Sequence, residues 1–578
     1  MKRIRKQLLA ALLATVMATG LLGEGVALAT DAQPTLAERQ ETAAEADQSF
    51  QLVIRTPTNN ITFQLPVSSS LNGIDNAKGY DWLIDWGDGN TQQVAGLSKR
   101  DTGIPHTYAA ARDYTITITP NASEEAWLAA FGFANGGSGA NAAANKEMVR
   151  AVPCAIRPEM TRTAAQINGA GIPPNNEWSW TFQLCTNLSQ APTLEGWEGI
   201  TEVGDLFMAF MFSSCTSLSS LPAGFNLPPN IESVGISFAN AMFSGCTNLT
   251  TLPAGFNLPQ GIMDARDYFA NDMFSSCTKL TSLPAGFNLP AAAIRVWVYF
   301  AAYMFYGCTS LVSLPAGFTF PQDITIVKES FAYRMFEGCT SLRSLPAGFN
   351  LPPDLDVVDN YFMTQTFNGC TSLESLPAGF NLPQNIAVTG ISFASYMFAD
   401  CTSLGELPAG FNLPQNIQVD GSFFAAFMFN GSGGPDFQIN DEFCFPAGIR
   451  SNGAFSFQMA LQLSDSAPMQ RRTAASIIGS CPVPYNQRYT FNEHFSDIDY
   501  VAVNWGGGGQ TPPPKVGAPG TGDLDGDGFV TMSEVLTCAR ASLGDIGLSP
   551  EQLACIDMDN DGFITMFDVL QVYVKAIA

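Results

Sequence analysis

The sequence predicts a chain of several unlike domains: a small β-sandwich near the N-terminus, a long α/β solenoid of stacked repeats, and a short all-α module at the C-terminus. Three observations carry this reading. Cysteine recurs every 31 residues, at Cys215, Cys246, Cys277, Cys308, Cys339, Cys370 and Cys401. Apolar and polar residues alternate between about Gln51 and Pro120, and two acidic twelve-residue loops follow a Gly/Pro-rich linker near the end. The 578 residues are enough for several domains, and 46% hydrophobic content is ample for folded cores.

Residues 1–29 open with Lys2, Arg3, Arg5 and Lys6, continue through an apolar run from Leu8 to Leu22 and close on Ala27-Leu28-Ala29. A basic start, an apolar middle and an A-x-A end read as a secretory signal peptide. No cysteine follows that cleavage site and no second apolar run of spanning length appears, so the expectation is an exported protein without a membrane span. The formal charge is -25, with 27 Lys+Arg, which leaves no basic footprint for nucleic acid. Only His106 and His494 are present, which leaves little for histidine catalysis or zinc.

Residues 30–47 are polar, acidic and aromatic-free, and read as a flexible lead-in. From 48 to 120 the runs FQLVIRT, ITFQLPV, DWLIDWGDGN and YTITITP have the period of strands bounded by turns, which argues a small β-sandwich. The pair IDWGDG (Ile84–Gly89) and HTYAAARDYTITIT (His106–Thr119) resembles the PKD-type immunoglobulin-like module of bacterial surface proteins, with Trp86 a departure from its pattern. Asp85 and Asp88 read as turn formers, because Asp-Gly is a turn signal. Residues 121–184 are expected to cap the solenoid at its N-terminal end. The segments from Thr163 and Thr473, TAAQINGAGIPPNNEWSWTF and TAASIIGSCPVPYNQRYTF, look related, as capping units or a second repeat type.

Residues 185–431 hold the solenoid: seven units of 31 residues from Cys215 and one degenerate unit ahead of them. A fixed period of this length means units that cover one another's apolar faces. In the first unit Leu218, Leu221, Phe225, Leu227, Ile231, Phe238, Met242 and Phe243 are the recurring apolar positions, with Ala293 and Thr366 among the lapses further on. Phe238 and Met242, four apart before Gly245, suit a short helix with a glycine cap. Leu218–Leu221 and Phe225–Leu227 suit short strands and turns. The pattern MFxGCTSLxSLPAGF closely resembles the BspA-type bacterial leucine-rich repeats, a cell-surface and secreted family. The cysteines read most simply as a ladder of buried thiols. Disulfides between rungs compete, but stacked, parallel Cβ vectors make poor bridge geometry.

One strip changes from unit to unit: ESVGIS, MDARDY, IRVWVY, TIVKES, DVVDNY, AVTGIS and QVDGSF. A fixed scaffold with a variable strip is how repeat proteins build recognition surfaces. Arg295, Trp297, Tyr299, Tyr268 and Tyr361 are the candidate ligand-binding residues, since Trp, Tyr and Arg dominate interface energetics. Equally, alternate members of the strip can point inward and fill the core. The ligand itself is an unknown protein or glycan.

Residues 432–505 are the C-terminal cap and 506–522, GGGGQTPPPKVGAPGTG, a linker. Beyond it, DLDGDGFVTMSE (Asp523–Glu534) and DMDNDGFITMFD (Asp557–Asp568) set oxygen donors at loop positions 1, 3 and 5, a glycine at 6 and a carboxylate at 12. That is the calcium loop, whose hard cation takes about six to eight oxygens. Asp523, Asp525, Asp527 and Glu534, with the Phe529 carbonyl and Thr531 through water, are the first ligand set. Asp557, Asp559, Asp561, Asp568, Phe563 and Thr565 are the second, so two calcium ions are expected. With a helix after each loop, 523–578 resembles a type I dockerin, which implies calcium-dependent docking to a cohesin on a scaffold protein of a cellulosome-like complex. The resemblance places cohesin specificity on Met532, Ser533, Met566 and Phe567, more apolar than the hydroxyl pairs often found there. Cys538 and Cys555 suit a disulfide or a pair of core thiols.

The leading expectation is a secreted, non-catalytic binding or adhesion protein held on a scaffold by its tail. A cellulosomal enzyme acting on polysaccharide is the alternative; glycoside hydrolysis needs two facing carboxylates, and the recurring repeat positions carry no acid. A structural spacer is the third reading.

Overall fold

The computed structural model describes residues from 49 to 495 with interruptions, 178–418 without a break, and scattered positions between 520 and 575. The expected signal peptide and lead-in, and most of the linker, lie outside the described residues. The first strands are β1 (Phe50–Arg55), β2 (Ile61–Leu65), β3 (Ser70–Leu71), β4 (Ile74–Asp75), β5 (Asp81–Asp85), β6 (Thr91–Ala95), β7 (Ile104–Tyr108), β8 (Asp113–Pro120) and β9 (Val149–Ala151). They form a five-stranded sheet in the order β6-β5-β8-β1-β9 and two-stranded pairs β2-β7 and β3-β4. Period-2 alternation does what it should: Phe50, Leu52 and Ile54 of β1 are buried while the residues between them are not. Asp85 and Asp88 do form turns, each carboxylate accepting the N–H two residues on, from Gly87 and Asn90. Asp88 also lies 2.8 Å from Nε2 of His106, whose ring stacks on Trp86 at 4.6 Å.

Strand β9 joins this sheet to the solenoid. One edge pairs antiparallel with β1. On the other side Ala151 bridges Gln190 in parallel, and the pairing continues between β10 (Ala155–Ile156) and β11 (Thr193–Leu194). Residues 149–156 are therefore a first rung that leaves no open sheet edge where the array begins. Buried apolar side chains from Phe50 to Phe495 form one connected core.

Inside the solenoid the dominant packing is phenylalanine on phenylalanine. One column runs Phe182, Phe212, Phe243, Phe274, Phe305, Phe336, Phe367, Phe398 and Phe429, with neighbouring centroids 5.4–5.7 Å apart and rings nearly parallel. A second, from Phe225 to Phe443, stacks at 6.0–6.2 Å and meets the first edge-on. A third links Phe207 to Phe424 at 5.0–5.9 Å. Each such contact adds about 0.5–1.5 kcal/mol beyond the area it buries. At the foot of each PAGF, the N–H of Phe225 and its equivalents returns to the proline carbonyl, with Gly224 at φ +83°. That turn needs a left-handed third residue, which glycine supplies without strain.

Two expectations for the repeat are corrected. The segment holding Phe238 and Met242 is not a helix but a run of tight turns. Ser237, Ala239 and Ala241 have φ of 50–62°, and Gly245 closes the run at φ +74°. The reason is where the N–H groups go. Those of Asn240, Met242 and Ser244 bond three residues back, while those of Ser237, Ala241, Phe243 and Gly245 reach Asp267, Asn271, Met273 and Ser275 on the next rung. Left-handed alanine costs about 1–2 kcal/mol, and each cross-rung bond returns about 0.5–1.5 kcal/mol along with the buried ring it positions. The solenoid thus loses the α half of its expected α/β character. The strands, likewise, are not at Phe225–Leu227 or at Leu218–Leu221, the second of which carries only single bridges such as Ser220 to Thr251. They run through the variable strip: β12 (Asp264–Ala265), β13 (Arg295–Val296), β14 (Ile326–Val327), β15 (Val357–Val358) and β16 (Val388–Thr389), parallel in the sets β12-β13-β14 and β15-β16.

The thiols stack as expected, and they also bond. Sγ of Cys215 donates to the Phe182 carbonyl at 3.1 Å, and the same bond recurs from Cys246 to Cys401 at 3.1–3.2 Å. Ser432, one period on, donates to Phe398 in the same place. Burial pushes Cys246 and Cys308 up to about 12, and eleven of the described cysteines, the whole ladder and Cys538 included, are free thiols. A polar column accompanies them. Asn257 Oδ1 accepts from the N–H of Leu258 and of Asn288, Asn350 and Asn381 repeat this one rung at a time, and Thr319 stands in with its hydroxyl.

Two outcomes follow. Ellman's reagent should find the ladder thiols silent in the native protein and release at least eleven titratable thiols in denaturant; a smaller yield would mean bridged rungs. Phe305→Ala, which empties a site stacked between Phe274 and Phe336, should cost about 3–5 kcal/mol in chemical denaturation.

Candidate functional site

The strip residues divide by burial along each two-residue strand. Ala265, Val296, Val327, Val358 and Thr389 point inward, whereas Arg295, Ile326 and Val357 are exposed. Arg295 therefore faces out, directly opposite Asp264 in the β12-β13 register, with Nη2 3.3 Å from its Oδ2. The other Asp264 oxygen accepts from Nε1 of half-buried Trp297 at 2.6 Å. Arg266 joins from the same rung, 3.8 Å from Asp264 and 5.6 Å from the centre of the Trp297 ring. One carboxylate thus holds two guanidinium groups and an indole in fixed positions.

Tyr268 and Tyr299 occupy equivalent places on adjacent rungs and stack at 5.1 Å with their planes 10° apart. Tyr361 holds that place two rungs further on; the rung between carries buried Ser330. The predicted trio is therefore a pair and an outlier. Tyr333 leans on Tyr361 at 5.7 Å and meets Tyr303 edge-on at 5.2 Å, and Tyr303 meets Tyr306 at 5.8 Å. Over this group lies the Arg334 guanidinium, 5.1 Å from the Tyr333 centre and 5.9 Å from that of Tyr303. Glu337 flanks it, with Oε2 3.3 Å from Nε. Burial pushes Glu337 above the usual carboxylate range, and burial with the neighbouring Tyr333 pushes the Tyr303 phenol up.

Tyr303, Tyr306, Tyr333 and Arg334 were missed because they lie in the segment expected to be a helix with a buried face. Their signal was in the sequence nonetheless: these positions read Tyr303, Arg334, Gln365, Tyr396 and Phe427 from rung to rung, a degree of change the buried columns do not show.

In the tail, Asp523, Asp525, Asp527, Phe529, Thr531, Glu534, Asp559, Asp561, Phe563 and Thr565 lie outside the described residues, as do Met532, Ser533, Met566 and Phe567. The first and last positions of the second loop are described. Asp557 and Asp568 are both buried, and Asp568 Oδ1 accepts the Met558 N–H at 2.7 Å, closing the loop on itself. Two buried carboxylates at the ends of one loop call for compensating positive charge, which suits a divalent cation. Residues 554–556 ahead of this loop and 568–569 and 571–572 at its end are helical. The N–H of Gly522 reaches the carbonyl of Cys555, two residues before the second loop, at 2.8 Å. Among the described residues no helix is long and apolar enough to cross a membrane.

These features define the class, a multi-domain chain with a repeat solenoid and a calcium-loop tail. Residues 179–427 match the family model of the BspA type leucine rich repeat region in six copies, and residues 521–575 match the dockerin type I domain. The chain therefore carries a BspA-type repeat region and a C-terminal type I dockerin, a kind of domain that binds calcium. No curated protein matches it.

The half-buried Asp272, one rung before Tyr303 at the equivalent position, gives a pH test. Burial pushes its carboxyl up to about 6, against a hydrogen bond with Ser275. A folded pKa above the unfolded one means that folding is favoured fully only below the unfolded value and loses that contribution as pH rises through about 6. Asp272→Asn should raise the thermal midpoint at about pH 8, and the difference from the unmodified chain should vanish below about pH 4.

Proposed function

We propose that the chain is a secreted, non-catalytic binding protein whose repeat array recognises a ligand through its variable outward positions and whose dockerin fastens it, through calcium, to a cohesin on a scaffold. One observation carries this reading: a repeat region and a dockerin share one chain. The dockerin supplies attachment, and the array supplies a rigid face on which outward residues change from rung to rung.

The finer assignments follow. Residues 1–29 direct export. The N-terminal sheets form a PKD-like sandwich, a reading supported by the Tyr114 hydroxyl, which donates to the Ala110 carbonyl at 2.8 Å in the manner of an immunoglobulin-type tyrosine corner. Two calcium ions fill the two loops, held by the ligand sets named above, and the loop positions at Met532, Ser533, Met566 and Phe567 choose the cohesin. The closed second loop, with Asp557 and Asp568 buried, supports metal-linked folding of the tail.

Immobilised cohesin should retain the full-length chain in calcium and release it in chelator. Asp568→Ala should weaken retention at limiting calcium by about tenfold or more, the cost of leaving a buried charge set incomplete, with thermal unfolding of the solenoid unchanged. Retention indifferent to chelator would refute the docking reading.

A further inference from the structure

We propose that the rungs from Arg266 to Tyr361 form a binding face for a neutral, linear polysaccharide lying along the solenoid axis. The inference rests on the array being a recognition surface and names the class of its ligand. Charge is the first ground. All six Lys and Arg of residues 185–431 are Arg266, Lys279, Arg295, Lys328, Arg334 and Arg343, while the rungs before and after carry acidic residues alone. Within the window the arginines are matched: Arg266 and Arg295 to Asp264, Arg334 to Glu337, and Arg343 to Glu374 at 3.0 Å. Counted over residues 264–361, six Lys and Arg stand against nine Asp and Glu, so the window has no positive excess, and its acidic flanks on a chain of formal charge -25 turn polyanions away. What it offers is donors and acceptors held rigid in pairs, the groups that sugar hydroxyls bond.

The aromatic residues fall in the same window. Six of the seven tyrosines of residues 185–431 lie between Tyr268 and Tyr361, with only Tyr396 beyond. The cluster around Arg334 and the stacked pair Tyr268–Tyr299 sit at or near the surface. A phenol ring gives an apolar face for the C–H side of a sugar and a hydroxyl for its edge. Tyrosine and arginine anchor protein partners too, but here the Arg295 and Arg334 guanidinium groups are already held by Asp264 and Glu337.

Periodicity supplies the third ground. Equivalent rings on adjacent rungs are 5.1 Å apart, comparable with the advance of an extended β-linked glycan per sugar. A polymer laid along the axis therefore meets the Tyr268 and Tyr299 rings with successive residues and the rings of Tyr303, Tyr333 and Tyr361 beyond them, a spread that a compact ligand would not span.

The test is affinity electrophoresis of the full-length chain through gels containing β-glucan, xylan, mannan or xyloglucan, with polygalacturonate as the polyanion. Retardation by at least one neutral polymer is expected, with none by polygalacturonate. Tyr303→Ala and Tyr361→Ala should each weaken binding about tenfold, as loss of one anchor does, and Tyr396→Ala, outside the window, should leave it unchanged. Arg334→Gln gives a second reading of the cluster should Tyr303→Ala fail to fold. Retardation by polygalacturonate alone, by no neutral polymer, or equally weakened by Tyr396→Ala would overturn the proposal. A protein partner lost with Tyr303→Ala would overturn the polysaccharide but leave the array a recognition surface, and calcium-dependent cohesin retention reports on the tail separately.

Discussion

Every rung of the solenoid has to satisfy its neighbour at a separation of about one ring thickness and one hydrogen bond. Neither demand can be relaxed alone, because the turns that aim Phe243 N–H at Met273 also place the Phe243 ring between Phe212 and Phe274. A one-residue insertion in a unit would take the columns and the cross-rung bonds out of register together. Strict spacing at 31 residues is the outward sign of that constraint.

Much of this was legible in the sequence. The period gave the stacked architecture, the recurring Leu, Phe and Met gave its core, and the cysteine spacing gave a thiol ladder whose members are indeed buried and free. The helix was misread because Phe238 and Met242 also satisfy a four-residue spacing, and spacing alone cannot tell a helical face from a chain of turns whose alternate N–H groups leave the rung. The asparagine column went unnoticed for a related reason: the repeating positions were read for hydrophobicity, yet Asn257, Asn288, Asn350 and Asn381 recur because their side chains bond backbone N–H groups on adjoining rungs. Of the candidate ligand residues, Tyr268 and Tyr299 meet as their shared position implied, while Tyr361 packs instead on Tyr333. Nothing local to the strip announces that contact. In the tail, the loop pattern names its ligands by position alone, and the buried Asp557 and Asp568 are where that pattern meets described geometry.

The ends of a stacked array pose a problem its interior does not have, since a terminal rung has only one neighbour. At the N-terminal end the answer is a strand shared between two kinds of sheet. Strand β9 takes antiparallel bonds from β1 and a parallel bridge to Gln190. Further on, Phe411 still stacks on Phe443 at 6.1 Å and Phe443 meets Phe445 edge-on, while Ser432 supplies the hydroxyl where a thiol had stood. The repeat thus fades by keeping its bonds after it has lost its sequence.

That persistence sharpens what the rungs leave free. Where stacking needs a polar group, the array keeps the contact when the residue changes: Ser432 stands in for the cysteine and Thr319 for the asparagine. At Arg295, Ile326 and Val357, successive members of one outward position, the residues share neither charge nor hydrogen-bonding capacity. Stacking cannot be what selects among them. Apart from the Arg295–Asp264 pair, the stacked columns place no demand on the side chain there, which makes this surface, irregular beside its own core, the part to read for recognition.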